Sequence, residues 1–419
     1  MKQLWQQTLS FPPAVRLLMA NQFAINLAFY MLMPYLAAHL AGGLGLAAWA
    51  VGLVLGVRNF SQQGMFLIGG TIADRFGYKA PIMAGCLLRT VGFGLLGWVD
   101  NLPALIAASA ATGFAGALFN PAVRAYLAAE AGERRLDAFA TFNVYYQAGM
   151  LLGPLVGLAL LATDFRLVCT VAAAIFAVLT VMQWRALPAR HGETAGTTTA
   201  PGGVLAQWRT VVANRPFLLF ATAMIGSYVL TFQVYLALPL AATNALGARG
   251  TWATSGLFVV SAAVAVVGQL RLTGWAKERW NPAQALVRGL TAMGLAFLPL
   301  ALTPPGATAA VLTALGTAVV LLAAGSAVVY PFEMDTVVTL SAGRLVATHY
   351  GLYNTVSGLG ITLGNLATGA LWDFAQRHDA LWLTWGALTA TGLACAASVA
   401  ALARSGRLAV REEPQLVPA

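Results

Sequence analysis

The stretch "GGTIADRFGYKAPIMAG", residues 69–85, sets an Asp, an Arg and a Lys within six positions between two long apolar runs. Charge is scarce elsewhere. Only 9% of the 419 residues are charged and 59% are hydrophobic, whereas soluble domains carry about 25% charged residues. The mean hydropathy is +0.74. Apolar runs of about 20 residues, repeated along the chain, read as membrane-crossing helices. The quoted stretch is then a polar turn between two spans. Solvation accounts for its basic residues but not for its Gly and Asp spacing.

Twelve spans can be marked: 15–39, 48–71, 80–99, 103–129, 139–162 and 166–186, then 216–241, 252–273, 283–303, 307–339, 347–371 and 380–403. The expected fold is an all-α integral membrane protein of two pseudo-symmetric six-helix bundles, 1–186 and 216–404. A cytoplasmic linker, 187–215, joins them, and a cytoplasmic tail, 405–419, follows. The linker is rich in Gly, Thr, Ala and Pro and reads as flexible, with a short surface helix around Gln207 to Val212. Residues 1–7 lead directly into the first span, with no small-residue cleavage site.

The net charge of +10 raises the question of a nucleic-acid partner, and its distribution answers it. Of 24 Lys and Arg, three lie inside spans (Arg58, Arg89, Arg124) and three in outer loops (Arg166, Arg249, Arg377); the other eighteen fall on inner loops and tails. That is the positive-inside pattern, with both termini cytoplasmic and no nucleic acid implied. Cys86, Cys169 and Cys395 sit in separate spans, and the four histidines are scattered. Neither a disulfide framework nor a metal site is expected. No phosphate-binding Gly-x-x-x-x-Gly-Lys-Ser/Thr loop occurs, no nucleophile–base pair is suggested, and neither an enzyme nor a cofactor is expected.

The second half echoes the first. Pro121 aligns with Pro331, Arg134 with Arg344 and, after a one-residue slip, Gly153 with Gly364. The opening motif returns weakly as Gly274, Glu278 and Arg279. Repeated six-helix units build many secondary transporters, with the substrate cavity between the halves.

Gly70-x-x-x-Asp74-Arg75-x-Gly77-x-Lys79 resembles the signature of the major facilitator superfamily in the loop between spans two and three. As physics it reads as a latch. Its glycines permit a tight turn and close backbone approach, and Asp74 suits the N-terminal amides of a neighbouring helix. Arg75 and Lys79 have Glu130, Glu133 and Asp137 as prospective partners. Gly149-x-x-x-Gly153-Pro154-x-x-Gly157, in span five, resembles the fifth-helix motif of the drug:proton antiporters of that superfamily. Small residues at that spacing let helices approach closely, and the helix that carries them is expected to form part of the sealing surface between the halves. The resemblance runs over residues 15–403 and is greatest to the twelve-span bacterial multidrug exporters.

Ionisable groups inside spans point to function. Arg58 and Gln62 share a helical face, which reads either as a substrate or gate contact or as a network tying span two to a neighbour. Arg89 is either an anchor or a side chain snorkelling to the inner surface. Near the inner ends of spans four and ten lie Arg124, Glu333 and Asp335. They are expected to form an inner gate, Arg124 pairing with either acid and His349 joining them, with protonation of an acid coupled to opening. A static ion pair is the alternative. Asn26, Tyr30, Asn120, Tyr146, Gln233, Tyr330, Tyr353 and Asn354 join Arg58 and Gln62 as candidate substrate contacts, although most of the aromatics would serve helix packing. Spans one and seven hold no buried acid, unlike the cation-exporting pattern, which tilts the cavity towards neutral or anionic amphipathic substrates.

The resulting expectation is a proton antiporter exporting small amphipathic, drug-like compounds as a monomer in the bacterial inner membrane. Its partners are the small-molecule substrate, protons and the lipid bilayer. Two alternatives remain open: a proton-coupled importer of a nutrient or metabolite on the same fold, and a transporter-like sensor without turnover.

Overall fold

A computed structural model describes residues 2–189, 203–304 and 307–408, and no described residue lies in a strand. Those parts of the linker (190–202) and of the tail (409–419) assigned from sequence lie outside the described residues. A short helix, α1 (Lys2–Leu9), comes first and had no clear signal in the sequence. The spans of the first half are α2 (Pro13–Ala38), α3 with α4 (Ala48–Gly64, Phe66–Phe76), α5 (Lys79–Trp98), α6 (Leu102–Ala131), α7 (Arg135–Leu161) and α8 (Phe165–Ala186). The linker helix is α9 (Val204–Ala213). The second half has α10 to α12 as one broken span (Arg215–Ala223, Ile225–Phe232, Ala237–Leu246), then α13 (Gly250–Arg279). Next come α14 with α15 (Pro282–Leu295, Leu298–Ala301), α16 (Thr308–Ser341), α17 (Val346–Arg377) and α18 (Trp382–Arg404).

Local chemistry sets several of these starts. Asn101 accepts from the Ala104 amide at 2.9 Å and Asp164 from the Arg166 amide at 3.2 Å, so both act as N-caps. Asn281 and Gln284 form a reciprocal capping box ahead of Pro282. The breaks have no comparable signal in the sequence. The second span is interrupted at Met65 (φ −106°, ψ 5°), just after its polar run, and the seventh near Met224 and Leu236.

Nine described stretches are long and apolar enough to cross a membrane, and one of them, Leu102–Leu161, holds both α6 and α7. The remaining two spans are α3–α4 and α17, the polar ones, and they pack on each other between the halves. Twelve spans in two bundles result. Exposed tryptophans mark the two ends: Trp49, Trp98, Trp252 and Trp382 at one, Trp5 and Trp184 at the other, as in an aromatic belt. The end carrying α1, α9 and the end of α18 is called the linker face below.

Within each bundle the repeat is visible in the packing. α2 packs on α7 as the broken seventh span packs on α17. A Cβ on Gly153 would meet Tyr30 of α2, and one on Gly364 would meet Val229 of α11. Between bundles, α4 meets α17 and α7 meets α13. Exchanging the halves converts one of these contacts into the other.

Candidate transport cavity and gate

α17 starts without a cap of its own. Its N-cap residue, Leu345, has no side-chain acceptor and sits at φ 50°. The cap comes from the other half. Asp74, at the end of α4 and 6% exposed, accepts from the Ala347 amide at 3.1 Å and the Thr348 amide at 2.7 Å. The Thr348 hydroxyl adds a third bond at 2.6 Å. These are the second and third amides of the helix, the ones an N-cap side chain ordinarily satisfies. The carboxylate also lies at the positive end of the helix dipole.

Glycine makes the approach possible. A Cβ on Gly70 would lie 2.1 Å from the Ala347 carbonyl oxygen, and one on Gly351 would lie 2.4 Å from that of Phe66. Gly77 ends α4 at φ 82°, a conformation other residues adopt only with strain. The loop cations act differently from expectation. Lys79 donates to the Trp184 carbonyl at 2.8 Å, and exposed Arg75 has no ion pair among the described residues.

The echo of the latch in the second half does not repeat its geometry. A Cβ on Gly274 would meet nothing within 4 Å, and Glu278 is exposed beside Arg279, 3.6 Å away. Instead Lys277 reaches Asp137 at 3.0 Å. Asp137 lies in the first turn of α7, so this contact too brings a carboxylate to a helix N-terminus, supplied here by the helix itself. Arg135 pairs with Asp335 at 2.9 Å, and Asn143 donates to Gln269 at 2.7 Å deeper in the same seam.

The expected inner gate is corrected in its partners. Arg124 does not pair with either acid; it donates to Asn354 of α17 at 2.6 Å. Asp335, two residues further along α16 towards the linker face, belongs to Arg135. Glu333 is 3% exposed and accepts from the Tyr353 hydroxyl, and among the described residues it is the one acid near Arg124. His349 stays within its own half: Nδ1 lies 2.8 Å from the Leu345 carbonyl, Nε2 is 3.3 Å from Asn214, and the ring meets Phe217.

The glycine motif of the fifth span packs within its own half, while the helix that carries it also meets α13 of the other half. Cβ atoms on Gly149, Gly153 and Gly157 would meet Phe23, Tyr30 and Met31 of α2, and the Pro154 carbonyl accepts from Tyr35 at 2.7 Å. This seam lies inside the first bundle. It is the linker-side part of α7 that faces the second half.

Above the Arg124–Asn354 bond, at mid-bundle, lies a cavity of about 310 Å³. Among the described residues, polar and ionic bonds between the halves, from Asp74–Thr348 to Thr355–Gln63, lie towards its linker side or at its floor, and beyond it comes only the long Tyr235–Met150 contact at 3.5 Å. The structure is thus the state shut at the linker face. Of the expected substrate contacts, Asn26, Tyr30, Gln62, Asn120, Tyr146, Tyr330 and Asn354 line the cavity. Three do not. Arg58 is tied to Gln62 and Asn59, Gln233 is wholly buried against Val229 and Asn365, and Tyr353 stands behind Glu333. Sequence reading missed Arg89, Gln22, Phe142, Asn143, Gln147, Ser227 and Ser326 as lining residues. The four-residue spacing of Gln22 and Asn26 was the available signal; Ser227 and Ser326 offered none.

A family model described as Major Facilitator Superfamily matches residues 18–365. An uncharacterized MFS-type transporter of Mycobacterium tuberculosis is 55% identical over 387 residues, 92% of each chain. Multidrug resistance protein MdtH of Salmonella typhi is 30% identical over 373 residues, 88% of this chain and 89% of its own. Among solved structures, the E. coli fucose:proton symporter FucP matches 91% of this chain and 97% of its own with a TM-score of 0.73 at 14% identity, a likeness of fold.

Proposed function

The chain belongs to the major facilitator superfamily, and from that premise we propose that it exports a small amphipathic compound in exchange for protons. As a member it is a multi-pass membrane transporter of a small molecule, not an enzyme. The export reading sets it as a monomer in a bacterial plasma membrane, with the linker face and both termini towards the cytoplasm. The excess of Lys and Arg on that face supports the orientation, and the relative named for multidrug resistance supports export.

The observation that carries the coupling is Glu333. Among the described residues it is the one carboxylate lining the cavity, next to the bond that closes the cavity floor. Ionised, it accepts from Tyr353 and balances Arg124. A proton arriving through the outward-open cavity turns it into a donor, releases Tyr353 and leaves Arg124 unbalanced. The floor and the Asp74 cap then separate, and the bundles rock open towards the cytoplasm. There the proton leaves, substrate enters, and ionised Glu333 restores the shut linker face.

The test is a Glu333→Gln protein reconstituted in liposomes. Saturable substrate binding should persist, while accumulation driven by a pH gradient should be lost. Persistent pH-driven accumulation would refute the assignment.

A second reading has one observation behind it. Two arginines and one carboxylate line the cavity, so an anion bound there would raise the proton affinity of Glu333. Charge alone would then favour movement of both in one direction, as in a proton-coupled importer. The sign of proton movement on adding substrate separates the two.

A further inference from the structure

We propose that the cavity takes amphipathic organic anions and that Arg89 holds their acidic headgroup. This rests on reading the cavity as the substrate site, and it stands whichever way protons move.

Arg89 belongs to α5, ten residues from its linker-face end, and is 5% exposed. At that depth it is not snorkelling to the surface; it lines the cavity. Its Nε is buried with no hydrogen-bond partner, and no carboxylate pairs with it among the described residues. Its surroundings are aromatic: the guanidinium carbon lies 5.8 Å from the Phe29 ring centre, 6.0 Å from Phe119 and 5.4 Å from Phe176. Ring faces attract a cation but supply no counter-ion. A buried, permanently charged guanidinium without one is costly.

A second cation deepens the imbalance. Arg58 lies 5.2 Å from the same Phe29 ring, and its hydrogen-bond partners, Gln62 and Asn59, are neutral. Arg124, by contrast, has Asn354 and neighbouring Glu333. An organic cation entering this space would meet like charge. A carboxylate, sulfonate or phosphate would meet a planar fork that can donate two parallel bonds.

The backbone keeps room for this group. A Cβ on Gly116 would lie 3.1 Å from Arg89 Nη2 and 3.0 Å from Gln62 Cδ. Phe29, Tyr30, Phe66 and Phe142 line the same cavity and supply an apolar wall for the body of the molecule.

The test uses purified full-length protein and three ligands on one aromatic scaffold: 2-naphthoate, 2-naphthalenemethanol and 2-naphthylmethylammonium. Binding is measured by titration calorimetry against matched detergent. Naphthoate should bind at least tenfold more tightly than the other two. Arg89→Gln should weaken naphthoate at least tenfold while changing the alcohol less than twofold, and Arg89→Lys should restore part of the loss. If Arg89→Gln does not fold, Gly116→Ala, which crowds the guanidinium, should weaken naphthoate selectively.

Three results overturn the proposal: naphthoate no tighter than the ammonium, no saturable binding of any of the three, or unaltered naphthoate binding by Arg89→Gln. A purely structural arginine would lower the thermal midpoint when replaced and leave the charge preference unchanged. Naphthoate binding without proton-coupled flux would leave the anion site standing and remove the antiport reading. Proton-coupled flux of the ammonium without naphthoate binding would do the reverse.

Discussion

Asp74 and Thr348 stand 274 positions apart and share one carboxylate oxygen, reached by the Thr348 amide at 2.7 Å and its hydroxyl at 2.6 Å. A helix of one bundle is therefore capped by a residue of the other, and parting the bundles uncaps it. Charge-assisted bonds are worth about 1.5–3 kcal/mol each against about 0.5–1.5 for neutral ones. Asp74→Asn should raise the population open at the linker face by about tenfold. Spin-label distances between positions 75 and 344, both exposed on that face, would report it. An unchanged distribution would mean the cap does not hold the closed state.

Two sets of glycines should behave oppositely. Gly70→Ala and Gly351→Ala place a methyl group against backbone oxygen of the other bundle, so the linker face should no longer shut and flux should fall at least tenfold. Alanine at Gly149, Gly153 or Gly157 overpacks a seam inside the first bundle, costing about 1–3 kcal/mol each. Those proteins should show a lower thermal midpoint with unchanged distances across the linker face. A shift in those distances would return the motif to the seam between the halves.

The two ion pairs of the seam should matter less than the cap. Arg135–Asp335 and Lys277–Asp137 are partly exposed, with side-chain exposures of 33%/20% and 48%/25%, and pairs of this kind contribute about 0.2–1 kcal/mol. Asp335→Asn should open the linker face by at most about fivefold, and the effect should vanish near 1 M salt, where screening acts within about 3 Å. The effect of Asp74→Asn should survive the same salt, because that carboxylate is buried. Equal salt sensitivity of the two would contradict this ordering.

These contrasts also mark what the sequence could reveal. Twelve spans were legible because an apolar run long enough to cross a bilayer has few other uses, and Asp74 was legible because a lone acid among glycines at a span end is costly unless it caps something. The three glycines of α7 announced close approach without naming the neighbour; a small-residue spacing is the same whether the partner is α2 or a helix of the other bundle. Arg124 drew the wrong partner for a related reason. The repeat aligned it with Glu333 and Asp335, but its long side chain reaches Asn354 on the adjacent α17 instead. Arg89 was ambiguous because an arginine two turns inside a span can either snorkel or stay. Only the packing of Phe29, Phe119 and Phe176 around it decides.

Proton movement in inside-out membrane vesicles tests the central claim, antiport through Glu333, most directly. A pH gradient, acid inside, is imposed, internal pH is followed by fluorescence, and 2-naphthoate and its neutral and cationic analogues are added in turn. The predicted result is proton loss from the vesicles on adding one of them, absent in the Glu333→Gln protein. Proton loss that is undiminished in Glu333→Gln, or proton entry on adding the compound, would contradict it.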